Sequence, residues 1–116
     1  MTTRTNLWRY RDTVTDTSNL VGYDVEATDG HIGTIDKASN ETSRASLVVD
    51  TGFWIFGKKR LIPAGVVNRV DNGERKAYVS MTKDQIKSAP DYDDTQANYD
   101  DSYYDSSADY YDPYGW

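Results

Sequence analysis

Between Tyr23 and Met81 the chain is cut by turn residues into short runs rich in β-formers, and this rhythm constrains the fold more than any other feature. Runs of this length bounded by turn residues are strands, because helices of globular domains need longer uninterrupted periodicity. Tyr23-Asp24-Val25-Glu26-Ala27-Thr28 alternates strictly, as a half-buried strand does. Asp29-Gly30 follows, and Asp-Gly between two such runs predicts a hairpin, since a type I′ turn requires positive φ at both central positions. The return strand runs from His31 to about Ser39. After a polar loop, Ser46-Leu47-Val48-Val49-Asp50 is apolar on both faces, as expected of a central strand.

A second hairpin is predicted where Gly52 and Gly57 bracket Phe53-Trp54-Ile55-Phe56, with the chain returning as Lys58-Lys59-Arg60-Leu61-Ile62. Pro63 removes a ladder donor, so this strand lies at an edge or ends there. Val66–Val70 and Lys76–Met81, joined through Asp71-Asn72-Gly73, bring the total to about six strands. Strands so short and evenly spaced predict an all-β fold, a closed barrel or small sandwich. Thr82-Lys83-Asp84-Gln85 has capping-box spacing, so one or two helical turns are expected before Pro90.

Past Pro90 the composition changes. Residues 91–116 hold eight Asp and seven of the ten Tyr, no Lys or Arg, and no aliphatic residue larger than Ala. The chain thus divides into an N-terminal arm over 1–18, a patterned domain over 19–90 and an acidic tail over 91–116. The net charge of −6 is a property of the tail: the first ninety residues carry all 13 basic side chains against 11 acidic ones. A segment of this kind cannot build a core of its own, and the body is expected to fold without it. The termini are accordingly expected to be flexible.

Leu20-Val21-Gly22-Tyr23-Asp24-Val25, Asp29-Gly30-His31-Ile32-Gly33-Thr34-Ile35-Asp36, Leu47-Val48-Val49-Asp50 and Leu61-Ile62-Pro63-Ala64 resemble, in order and spacing, the PRC-barrel family. That family is known from the cytoplasmic domain of the photosynthetic reaction-centre H subunit and the C-terminal domain of a ribosome-maturation factor. Residues 82–90 look like the ending of stand-alone bacterial members. The resemblance, covering about Asn19 to Tyr92, implies a small six-stranded β-barrel with a short C-terminal helix. It also implies a binding or assembly platform without catalytic residues. The arm Leu7-Trp8-Arg9-Tyr10 and the Asp/Tyr tail lie outside the pattern.

The residues themselves point away from an enzyme. With no cysteine and a single histidine, His31, neither a nucleophile–base pair nor a thiolate metal site can be assembled. His31 reads as an ordinary hydrogen-bonded side chain beside a turn. Asp24, Asp36 and Asp50 sit in or at the ends of strands, and Asp50 before Thr51-Gly52 reads as a turn former. The tail's carboxylates lack calcium-loop spacing. No cofactor, metal or catalytic residue is expected.

Three features point to macromolecular partners. Four large apolar residues in succession cannot all face one small core under strand alternation, so Phe53, Trp54 and Phe56 either cap the barrel or offer a patch to another protein or a second copy. Lys58, Lys59 and Arg60 read either as a basic patch for RNA or as edge charges that discourage aggregation. In the tail, Tyr103, Tyr104, Tyr110, Tyr111 and Trp116 supply aromatic contact area that a solvating linker would not need; the tail either solvates the chain or docks. The leading expectation is an adaptor or assembly module with a protein partner or a second copy as ligand; the alternative is an RNA- or ribosome-associated accessory factor. Met1 to Tyr10 has no apolar secretory stretch, and no run reaches membrane-spanning length, so a cytoplasmic protein without membrane insertion is expected.

Overall fold

The computed structural model describes residues 7–11, 14, 19–39, 45–52, 59–89 and 107–115. Six strands form one mixed sheet: β1 Asp24–Ala27, β2 Gly30–Ser39, β3 Ser46–Asp50, β4 Lys59–Pro63, β5 Val67–Asp71 and β6 Lys76–Val79. Their order is β4-β3-β2-β1-β6-β5, antiparallel throughout except for the parallel β1–β6 pair. Among the described residues the structure is therefore mostly β-strand, as the turn-delimited runs predict.

Local sequence accounts for each element. β1 turns Val25 and Ala27 inward and leaves Asp24 and Glu26 half-buried. β3, flanked by β2 and β4, buries Leu47, Val48 and Val49 together, which explains its unbroken apolar run. Gly30 opens β2 at φ +144°, a backbone region closed to most L side chains. Gly33 has a different role: a Cβ there would stand 2.1 Å from the Asp50 carbonyl oxygen, so β2 and β3 approach more closely than any side chain permits. Register shifts between Val25 and Glu26 and between Ile35 and Lys37 bend the long β2 ladder.

β4 passes to β5 through a single 3-10 turn, Ala64–Val66, all three of whose residues are buried. After β6, helix α1 (Lys83–Lys87) starts with the expected capping box. Gln85 N donates to Thr82 Oγ1 at 3.2 Å, and Thr82 N donates to Gln85 Oε1 at 2.8 Å.

The termini depart from the sequence reading. Leu7, Trp8 and Val14 of the arm belong to the same buried cluster as Val25, Ile35, Leu47 and Ile86. Trp8 O accepts a hydrogen bond from Ala45 N at 3.0 Å. Residues 107–111 are helical and lead into a 3-10 turn at Asp112–Tyr114. Ala108 and Tyr111 are each 1% exposed and join the core, with Tyr110 and Tyr114 packed against it. Of the two alternatives for the tail, residues 107–115 adopt the docked one, and the described residues of both ends pack on the body where flexible termini were expected. The physical reason is that aromatic rings supply buried area without any aliphatic residue.

Candidate functional site

Both chain ends meet on one surface, and Arg11 joins them. Its Nε donates to Gly65 O at 3.0 Å, in the turn between β4 and β5, while Nη2 donates to Tyr114 O at 3.2 Å and contacts Ser80 Oγ at 3.5 Å. Ser80, just past β6, also donates to Tyr114 O at 2.7 Å. One main-chain carbonyl thus receives a guanidinium and a hydroxyl. Burial disfavours the charged form of Arg11 and lowers its pKa.

Aromatic side chains complete the contact. Tyr111 is buried, Tyr110 meets it edge-on at 5.3 Å between ring centroids, and the Tyr110 hydroxyl donates to the Gln85 carbonyl of α1. Burial raises the Tyr110 pKa, nearby Tyr114 raises it further, and Arg60 opposes them. At the end of the segment Gly115 lies against Leu7, whose Cδ1 would be 2.9 Å from a Cβ at that position. Tyr10, in the arm, is pushed up to about 12 by burial, and its hydroxyl has no hydrogen-bond partner. Ser107 Oγ and Asp112 Oδ1 are likewise buried without a partner.

The basic trio is not a single patch. Arg60 is 3% exposed, and its guanidinium caps α1 from below: Nε donates to Ile86 O at 3.1 Å, Nη2 to Lys87 O at 2.8 Å, and Nη1 to Lys59 O at 3.2 Å. The Ile86 and Lys87 carbonyls are among those a helix C-terminus leaves without intrahelical partners, whereas Lys59 O belongs to β4. In this structure the Arg60 guanidinium, expected as part of a partner-binding patch, is buried and committed to three carbonyls. Lys59 pairs with Asp36 at 2.8 Å on the surface. Tyr111 is likewise buried, its ring part of the core; Tyr110 remains half-buried. Phe53, Trp54, Phe56, Lys58, Tyr103, Tyr104 and Trp116 lie outside the described residues.

Of the other candidates, His31 Nδ1 is 2.7 Å from Glu26 Oε2 across the β1–β2 hairpin. Asp50 Oδ1 accepts from Gly52 N at 2.9 Å, the turn-forming role its sequence context predicts. A 330 Å³ depression beside them is lined by residues including His31, Gly33, Asp50 and Gly52. No helix among the described residues is long and apolar enough to cross a membrane.

Sequence reading missed Arg11, Ser80 and Leu7 as site residues. An apolar-aromatic arm and a tyrosine-rich tail each signal surface that needs covering, but neither states that they cover one another. No family model and no curated protein matches the chain.

Proposed function

We propose that this chain is a PRC-barrel-type adaptor or assembly module of the cytoplasm, non-catalytic, that binds another protein or a second copy of itself. The observation that carries the reading is the three-residue connection between the two outermost strands. In a flat six-stranded sheet β4 and β5 would lie roughly 24 Å apart, at about 4.8 Å per spacing. A 3-10 turn advances only about 2 Å per residue, so Ala64–Val66 bridges roughly 8 Å. So short a link is what a sheet rolled until its edges approach would need, and it supports the barrel that the sequence resemblance implies. The buried cluster of Val25, Ile32, Ile35, Leu47, Val49, Ile62 and Val79 supports a rigid body, on which loops and ends carry recognition.

Asp50 and Lys59 pair across the β3–β4 ladder, and the sequence between them contains Phe53-Trp54-Ile55-Phe56. Aromatic residues are favoured anchors of protein interfaces. The RNA-associated alternative loses its main support with Arg60, leaving Lys58 and Lys59 as the cations of the trio. The deciding experiment is capture of partners from native lysate by the wild type and by a Trp54→Ser, Phe56→Ser variant, at low and high salt. Retention that survives high salt and disappears in the variant supports an apolar protein interface. Retention of RNA that falls steeply with salt overturns it in favour of the alternative.

A further inference from the structure

We propose that the surface covered by residues 107–115 is a docking site for this same segment of a second copy, so that two chains assemble by exchanging their C-terminal ends. The occupant of the site defines what the site recognises. It reads Asp-Tyr-Tyr-Asp-Pro-Tyr-Gly over residues 109–115 and is held by three kinds of contact. Tyr111 fills a fully buried slot, the Tyr110 hydroxyl donates to the Gln85 carbonyl, and the Tyr114 carbonyl accepts from Arg11 and Ser80. Every one of these groups is equally available to a segment arriving from another molecule.

Reach and energetics both permit exchange. Residues 90–106, seventeen in all, connect Ala89 of the body to Ser107. Seventeen residues span roughly 55 Å when extended, more than the 36 Å longest dimension of the molecule. The docked state also carries a defect: Tyr10 Oη, Ser107 Oγ and Asp112 Oδ1 are buried without hydrogen bonds, and each such group costs about 1–3 kcal/mol of desolvation. The aromatic anchors offset that cost without making the segment inseparable from the body. An exchanged pair keeps every contact of the closed chain and adds none that must be newly evolved. A cis segment acts at an effective concentration in the millimolar range. Closed monomers therefore dominate in dilute solution, and exchanged assemblies form when chains are concentrated or refolded together. The inference gives the assembly reading a specific partner, a second copy, but uses a different surface from the 53–58 connection.

The absence of cysteine makes the test clean. A Cβ at position 115 would lie 3.7 Å from Leu7 Cα, so cysteines at 7 and 115 are within disulfide reach. Full-length Leu7→Cys and Gly115→Cys chains with tags of different size are mixed, co-refolded at high concentration and oxidised with glutathione disulfide. In the Gly115→Cys chain the new side chain crowds its own Leu7, which favours the cavity of the Leu7→Cys partner. The expected result is a mixed-tag dimer on a non-reducing gel, about tenfold or more above a control in which Glu74→Cys, on the exposed β5–β6 turn, replaces Leu7→Cys. The double variant in one chain, kept dilute, should close internally as a monomer. Internal closure with no mixed dimer above control overturns exchange, and failure of the double variant to close overturns the docking itself. Trp54→Ser, Phe56→Ser chains should exchange like wild type, so loss of the apolar interface and loss of exchange are told apart.

Discussion

The Arg11 guanidinium donates to the Tyr114 carbonyl, tying together residues 103 positions apart in the chain. Both are outside the strand pattern, yet Arg11 also holds Gly65, in the turn that joins the sheet's two outermost strands. Arg11→Ala removes the guanidinium donor from Gly65 O and one of two donors from Tyr114 O, and should cost about 2 to 3 kcal/mol in urea unfolding. Arg11→Lys should recover little of this, because an ammonium lacks the fork that serves both oxygens. Full recovery by lysine would mean that charge alone matters there.

The second prediction separates packing from hydrogen bonding in the C-terminal segment. Tyr111→Ala empties a fully buried site and should cost about 3 kcal/mol or more, whereas Tyr110→Phe removes one hydrogen bond and should cost about 1 kcal/mol. Truncation after residue 106 should lower the melting midpoint and leave a cooperative transition. An unchanged midpoint would show that 107–115 contributes no net stability.

Arg60 and Lys59 are adjacent and should behave oppositely. Arg60→Ala removes the guanidinium that donates to Ile86 O and Lys87 O at the end of α1 and should cost about 2 to 3 kcal/mol. Lys59→Ala breaks a surface ion pair and should cost less than about 1 kcal/mol. Chemical denaturation of the two variants side by side decides it.

Alkaline pH should expose the arm. Tyr10 is neutral when buried, and its pKa rises from the ordinary 10.0 to about 12; Tyr110 moves in the same direction. Above pH 10 the unfolded chain loses these protons first, so the folded state binds more of them and stability must fall as pH rises. Stability should be full below about pH 10 and decline between 10 and about 12. Tyr10→Phe removes a hydroxyl that has no partner, so it should be neutral or stabilising at pH 7 and flatten the alkaline decline. A loss of stability at pH 7 in this variant would reveal a bond to the hydroxyl.

Gly33→Ala tests the close approach of β2 and β3. Its Cβ would meet main-chain atoms of Asp50 and Thr51, which cannot rotate away as a side chain could. A cost on the order of 3 kcal/mol is expected. A variant of near wild-type midpoint would require the ladder to be looser than the Ile35–Val49 pairing indicates.

What was legible in the sequence is whatever a local pattern decides. The alternation of β1, the two-sided burial of β3, the capping box at Thr82 and the turn at Asp50 all follow from a few consecutive residues. What was not legible depends on residues far apart. Arg60 looks like one of three surface cations until α1 is placed beside β4 and its carbonyls claim the guanidinium. The tail looks like solvated acid and tyrosine until a cavity edged by Leu7 and a pair of donors at Arg11 and Ser80 exist to receive it. Composition measures how much apolar surface a segment has, but not where a complementary surface will form.

The parallel pairing of β1 with β6 sets an order of events during synthesis. β1 lies between β2 and β6, so Asp24 cannot acquire Lys76 as a neighbour until nearly the whole body has left the ribosome. The hairpins β1–β2 and β3–β4 can form early, but one edge of β1 stays unpaired until β6 arrives. A waiting strand edge is a hazard for intermolecular pairing. Folding of this chain is therefore a contest between the rate of elongation through Val79 and the crowding of unfinished neighbours.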